Sequence, residues 1–167
     1  MNNDSKLRYA KGNLIDMALQ GSFDVIVHGC NCQITMGSGI AKEIKDRYPD
    51  AYAVDLYMDQ DFGASHRFHK LGNYSEATVY TDDTTFKIVN AYTQYDFLPR
   101  GVDHFNYASF AMILEKLAHF HHGKRFGFPY IGMGLAGGDS KRILTLLEDF
   151  AIKVNESGGT VTLVEFG

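Results

Sequence analysis

Apolar and polar residues follow two periods along this chain, and the periods alternate. Residues 6–10 read as a short strand and residues 14–19 as a short helix. Phe23-Asp24-Val25-Ile26-Val27-His28 follows Gly21-Ser22 as a nearly continuous apolar run, the pattern of a central strand covered on both faces. A helix is predicted from Gly39, with Ile40, Ala41, Ile44 and Tyr48 on one stripe, and Pro49 breaks or kinks it. Residues 77–81 and 86–92 flank Asp82-Asp83-Thr84, which reads as a hairpin turn. Residues 105–121 carry Phe110, Ile113, Leu114, Leu117 and Ala118 at helical spacing, with Asp103 as cap and Gly123 as stop. Residues 125–131 form a strand. Ile143, Leu146, Leu147, Phe150, Ala151 and Val154 stripe the last helix, Gly158-Gly159 ends it, and residues 160–166 close the chain as a strand. This alternation predicts an α/β sheet with helices on both sides.

Glycine is concentrated rather than spread. It makes up 17 of 167 residues, about 10% against a usual ~7%. Gly29, Gly37 and Gly39 form one cluster, and Gly132, Gly134, Gly137 and Gly138 form another. Each cluster follows a predicted strand and precedes a predicted helix. In such sheets ligands sit beyond the carboxyl ends of the strands, so both loops should face one crevice. A glycine loop entering a helix is a physical device for anions, because the backbone approaches closely and unpaired N–H groups point at the ligand. The bland reading is a pair of tight connections. Gly132, Gly134 and Gly137 fit G-x-G-x-x-G, which opens a dinucleotide domain. Only one helix and one strand follow here, and Glu165 lies farther on than the usual ribose acid. No Gly-Lys-Ser/Thr triplet occurs, so a Walker A loop is excluded.

Composition narrows the class. With 45% hydrophobic residues the chain is not disordered, and no apolar run approaches the ~18 residues of a membrane span. One domain over 1–167 is expected. The net charge of −4 argues against direct duplex nucleic-acid binding. Cys30 and Cys32 are too close for a useful disulfide, and the polar Met1-Asn2-Asn3-Asp4-Ser5 is no secretory signal, so a cytoplasmic protein is expected.

Several ordered motifs together resemble the macrodomain family. They are Gly12-Asn13-Leu14-Ile15, Val27-His28-Gly29-Cys30-Asn31-Cys32, Met36-Gly37-Ser38-Gly39-Ile40-Ala41, Asn90-Ala91-Tyr92-Thr93-Gln94, and Pro129-Tyr130-Ile131-Gly132-Met133-Gly134-Leu135-Ala136-Gly137-Gly138-Asp139. The similarity is to the branch of ADP-ribose-1″-phosphate phosphatases and terminal ADP-ribose-protein hydrolases. It implies a three-layer α/β/α sandwich with a mixed central sheet, and ADP-ribose as ligand. The diphosphate would lie between Met36, Gly37, Ser38, Gly39 and Ile40 on one side and Gly132, Met133, Gly134, Leu135, Ala136 and Gly137 on the other. Asn13 would meet the adenine and Phe166 would stack on it, Leu14 would also bind the ligand, and Asn31 would bond the distal ribose. Asn13 stands where many members carry Asp. His28-Gly29-Cys30-Asn31 replaces the Asn-Ala-Ala-Asn of another branch, and Thr93 or Gln94 stands where terminal hydrolases carry a lysine.

His28 and Asp139 are the catalytic candidates. A histidine near neutral pKa can pass protons, and an aspartate beside the distal ribose can orient water. Their bland readings are a hydrogen-bonded strand-end histidine and a helix N-cap. The expected reaction is hydrolysis at C1″ of the distal ribose, with ADP-ribose-1″-phosphate as first substrate. A reader that binds without turnover, and a hydrolase of protein or nucleic-acid adducts, are the alternatives. A cofactor or metal is not expected, since His28, Cys30 and Cys32 offer no evident fourth zinc ligand. A monomer is expected.

Overall fold

Strands β1 (Leu7–Gly12), β2 (Val25–Asn31), β3 (Tyr74–Tyr80), β4 (Thr85–Gln94), β5 (Arg125–Phe128) and β6 (Thr160–Phe166) hydrogen-bond into one sheet ordered β1-β6-β5-β2-β4-β3. The structure is a computed structural model, and it describes residues 6–36, 39–96, 103–133 and 138–167. Every neighbouring pair is parallel except β3–β4, the hairpin read from the Asp-Asp-Thr turn. The sheet is therefore mixed, with its antiparallel member on an edge.

Helices cover both faces. They are α1 (Leu14–Leu19), α2 (Gly39–Arg47), α3 (Pro49–Phe62), α4 (Tyr107–Phe120) and α5 (Ser140–Glu156), with a short 3-10 segment at Ala64–Lys70. Strand alternation sorts the core into two layers. Val25 and Val27 of β2 join Ile113, Leu117, Ile143 and Leu147 beneath α4 and α5. Ile26 points the other way and joins Ile15, Ala18, Ile44 and Ala51 of α1, α2 and α3. A strand buried on both sides has no room for a polar stripe, which is why residues 23–28 read as a continuous run.

Pro49 breaks the helix that starts at Gly39, as expected, and opens the next one; one expectation shifts. Arg47 ends α2, and Pro49 takes the first turn of α3, where its missing N–H costs nothing. Asn106, rather than Asp103, caps α4 by accepting from the Ser109 N–H at 2.9 Å. Asp103 instead accepts from the Phe105 N–H just upstream. No helix among the described residues is long and apolar enough to cross a membrane.

The consequence for function lies in strand direction. β1, β6, β5, β2 and β4 all run the same way. Their carboxyl ends share one edge, and what leaves those ends meets there: Asn13 after β1, residues 31–36 after β2, Ile131–Met133 after β5 and Phe166 at the end of β6.

Candidate functional site

Four of the residues expected at the ligand come together. Asn13, Leu14, Ile40 and Phe166 line one small cavity with Gly12, Glu43, Pro129 and Val164. Phe166 is 82% exposed, an aromatic face left open beside that cavity. Asn13 is also the N-cap of α1, its Oδ1 accepting from the Asp16 N–H at 3.0 Å. Leu14 is buried in the core, so it offers the cavity little more than its backbone and one side of its chain.

The loop after β2 is organised by its own side chains. The register of β2 against β4 shifts between Cys30 and Asn31, which re-aims the chain at the edge. Asn31 Oδ1 accepts from the Gln33 N–H at 2.8 Å, and its Nδ2 donates to the Thr35 carbonyl at 3.3 Å. These bonds close an Asx-type turn. Ile34 sits at φ 52°, a left-handed conformation that a β-branched residue rarely adopts. Met36, expected to contact ligand, turns its side chain into a small apolar cluster with Cys30, Cys32 and Tyr92 and is 2% exposed. Only its backbone is left for a ligand. Gly39 opens α2 at φ 57°. Gly37 and Ser38 lie outside the described residues.

His28, the catalytic candidate at the end of the central strand, is 1% exposed and lies under the sheet on the side of α3. Its Nε2 is 2.6 Å from Asn90 Oδ1. The Asn90 amide nitrogen donates to the Ala51 carbonyl at 2.9 Å and to Ser75 Oγ at 3.0 Å, which fixes which end of the amide is oxygen. His28 therefore donates from Nε2, and Nδ1 is the bare nitrogen, 3.8 Å from Cys30 Sγ. Burial pushes the His28 pKa below its ordinary value, with the Asn90 bond acting the opposite way. A buried, neutral imidazole committed to an amide has no direct reach to a substrate at the edge.

The same chain of bonds runs on beneath the sheet. Ser75 Oγ lies 2.7 Å from the Tyr92 hydroxyl, which donates to Asp55 Oδ1 at 2.7 Å. Lys70 Nζ donates to the same oxygen at 2.8 Å, and both ionic residues are almost wholly buried. Arg67 grips both oxygens of Asp59 at 2.8 and 3.2 Å and extends NH1 to Gln33 Oε1 at 3.2 Å. Sequence reasoning missed Asp55, Asp59, Arg67 and Lys70. The available signal was spacing: Ala51, Asp55 and Asp59 repeat every four residues and form the buried stripe of α3. A search for apolar stripes passes over a stripe made of carboxylates.

Neither thiol fits a nucleophile. Burial pushes Cys30 well up and Cys32 up to about 12, so both stay protonated near neutrality. Among the described residues no group of three or more His, Cys, Asp or Glu is placed to hold a metal ion.

The loop after β5 is closed by glycine. Gly132 has φ 74°, and an added Cβ would fall 2.7 Å from the Phe105 ring. The Gly138 N–H donates to the Gly132 carbonyl at 2.7 Å, and a Cβ on Gly138 would fall 2.5 Å from that oxygen. Met133 packs half-buried against the α4–α5 core. Gly134, Leu135, Ala136 and Gly137 lie outside the described residues. Asp139 is exposed and caps α5, accepting from the Lys141 N–H at 2.9 Å. Its own N–H donates to the Tyr107 hydroxyl at 2.7 Å, Tyr107 donates to Asp103 at 2.7 Å, and the Arg142 guanidinium lies 3.6 Å from the centre of the Tyr107 ring. Tyr107 thus holds the Asp139 backbone at the start of α5, a role that no sequence motif marked.

Comparison with known proteins agrees with this arrangement. No protein-family model matches the chain. It is 28% identical over 152 residues to an uncharacterized 17.5 kDa protein from the tk-vs intergenic region of Enterobacteria phage T4, covering 89% of this chain and 92% of that one. It is 39% identical over 64 residues to the ADP-ribose 1″-phosphate phosphatase of Neosartorya fischeri. That match takes in 38% of this chain and only 30% of the fungal enzyme. The macrodomain of Mycobacterium tuberculosis DarG superposes with a TM-score of 0.71 at 18% identity, over 93% of this chain and 96% of that one. Thermosipho africanus DarTG, solved in complex with ADP-ribose, superposes with a TM-score of 0.70 at 12% identity, over 96% of this chain and 42% of that one. The layered mixed sheet and its alignment with these structures along nearly the whole chain establish that this protein has the macrodomain fold.

Proposed function

We propose that this protein binds ADP-ribose along the carboxyl edge of its sheet and hydrolyses an ADP-ribose derivative at C1″ of the distal ribose, with ADP-ribose-1″-phosphate the first substrate to test. The observation that carries the reading is convergence. The chain leaving β2 as far as Met36, the chain leaving β5 as far as Met133 and the Asn13–Phe166 cavity lie at the ends of parallel strands on one edge, and Asp139 caps the helix that follows the β5 connection. Support comes from the partial identity to a fungal ADP-ribose 1″-phosphate phosphatase and from the ADP-ribose held by a protein of the same fold.

In this reading adenine enters beside Phe166 and Asn13. The diphosphate takes backbone N–H donors from residues 36–40 and 132–137, which lets a net-acidic chain hold an anion without a basic patch. Asp139 orients the attacking water. One of its oxygens accepts the Lys141 N–H, and the residue is exposed at the edge. His28 supports the strand from beneath and takes no proton from substrate. Water adds and phosphate leaves, giving ADP-ribose and inorganic phosphate.

A second reading is a binding module without turnover. Its support is that His28 is buried and that Thr93 or Gln94 stands where related hydrolases would carry a lysine, Thr93 being 1% exposed and Gln94 half-buried. Two measurements decide. Calorimetry with ADP-ribose tests the ligand, and NAD bound tightly with no ADP-ribose binding would overturn the assignment. Phosphate release from ADP-ribose-1″-phosphate tests turnover. Tight ADP-ribose binding with no turnover of phosphorylated, acetylated or protein-linked ADP-ribose would establish the module.

A further inference from the structure

The loop after β2 holds a strained residue at the proposed ligand edge. Ile34 at φ 52° is in a costly backbone conformation, and such a conformation persists only where its surroundings over-determine it. Three of the bonds that hold the loop are its own: Asn31 to Gln33 and Thr35, and Thr35 Oγ1 to the Gln33 carbonyl at 3.1 Å. These would move with the loop if it moved. Two links tie it to the segment just after β4 through one carbonyl, that of Tyr95, which accepts from the Cys32 N–H at 3.0 Å and from Gln33 Nε2 at 3.2 Å.

The other end of the Gln33 amide is the point of interest. Its Oε1 accepts from Arg67 NH1 at 3.2 Å, while its Nε2 is spent on Tyr95, so the amide is bonded at both ends with its orientation fixed. Arg67 is not a loose surface cation. Its Nε and NH2 make the two-pronged contact with Asp59, which is itself 7% exposed. Asp59 lies 3.9 Å from Lys70, which is bonded to Asp55, which is bonded to Tyr92 of β4. An unbroken series of polar contacts runs from the sheet, through α3 and the 3-10 segment, to the tip of the loop.

We infer that Arg67 is a positioning residue: acting through Gln33, it anchors the 31–36 loop to the buried ionic group beneath the sheet and holds that loop in the conformation that receives the ligand. Lysine cannot replace it, since a single ammonium cannot span both Asp59 oxygens and Gln33 with a planar fork. The link to the ligand rests on the ADP-ribose reading above, while the anchoring does not.

The test uses the full chain with Arg67→Ala, Arg67→Lys, Gln33→Ala and the double Arg67→Ala/Gln33→Ala. Amide exchange reports the anchor directly. Arg67→Ala should raise exchange of the Cys32 and Gln33 N–H groups about tenfold or more and leave that of β2 and α5 unchanged. Unchanged exchange at 32–33 in both Arg67→Ala and Gln33→Ala overturns the anchor, whatever the ligand. Calorimetry then reports the consequence. Arg67→Ala and Gln33→Ala should each weaken ADP-ribose about tenfold, Arg67→Lys should not rescue, and the double variant should be no weaker than the worse single one. Losses that add in the double variant overturn action through Gln33. Faster exchange with wild-type affinity overturns the link to the ligand. Wild-type protein that fails to bind ADP-ribose overturns the functional reading and leaves the exchange result to decide the anchor.

Discussion

His28 is held neutral by its surroundings, and this has a measurable sign. Burial lowers its pKa below the ordinary 6.5, so the folded protein takes up that proton only at lower pH than the unfolded chain does. Above about pH 6.5 the ring is neutral in both states and carries no penalty. Below it the unfolded chain protonates first, and stability falls as pH drops toward the folded value. His28→Gln removes the titrating group, so urea unfolding at pH 7.5 and pH 5.5 should show a smaller loss for this variant than for wild type. Parallel losses would show that His28 is not the source. Asp24 and Glu76, whose carboxyl groups are held low by Arg125 and by His121 respectively, act in a separate window nearer pH 4. Asp139 poses a different question, because capping and catalysis share one carboxylate. Asn also caps well, whereas Ala costs about 1 kcal/mol of helix stability. Asp139→Asn should keep the melting temperature within a degree or two. If the carboxylate orients water, Asp139→Asn should still lose ~10²–10⁴-fold in phosphate release. An active Asp139→Asn would reduce Asp139 to its cap.

Among the elements, α3 departs furthest from hydrophobic logic. Its buried stripe is Ala51, Asp55 and Asp59, and Lys70 closes over it from the 3-10 segment. Lys70 also lies 4.5 Å from the centre of the Tyr92 ring. Removing one member of such a buried pair leaves a charge without its partner, a loss of roughly 3–5 kcal/mol. Lys70→Met should therefore lower the melting temperature by well over 5 °C, on a scale of about 2–4 °C per kcal/mol for a chain of this size. A shift under 2 °C would show that the pair contributes little. This is also where the sequence was least readable. The last helix could be read from Ile143, Leu147, Phe150 and Val154, all of which are buried, and its Asp139 cap falls where expected. The hairpin was readable from its turn and the central strand from its unbroken apolar run. Residues 50–74 gave no such signal, because their inward face is built from ion pairs and amides, and partners for a carboxylate are set by tertiary contacts rather than by period.

At the scale of the molecule, parallel strand direction does the gathering. Glycine positions were visible in the sequence, and the shared edge followed from the α/β alternation, since loops after parallel strands must emerge together. Which side chains face that edge was not visible. His28 and Met36 belong to segments that reach it, yet both side chains turn inward. Strand alternation places His28 on the Ile26 side under α3, and that assignment needs knowledge of which layer α3 covers. If the edge binds ADP-ribose, the ligand joins elements that are far apart in sequence and close in space: β1, β2, β5 and β6. Binding to the folded state alone then stabilises the whole sheet by RT ln(1 + [L]/Kd), about 2.7 kcal/mol at a ligand concentration of 100 Kd. For this chain length that is a rise of roughly 5–10 °C in melting temperature. AMP, which lacks the distal ribose and one phosphate, should give a much smaller rise at equal concentration. Phe166→Ala should reduce the ADP-ribose shift without changing the melting temperature of the unliganded protein, because that ring is already exposed and contributes little to the core. Equal shifts with ADP-ribose and AMP would confine the ligand to the Asn13–Phe166 cavity and remove the glycine loops from the site.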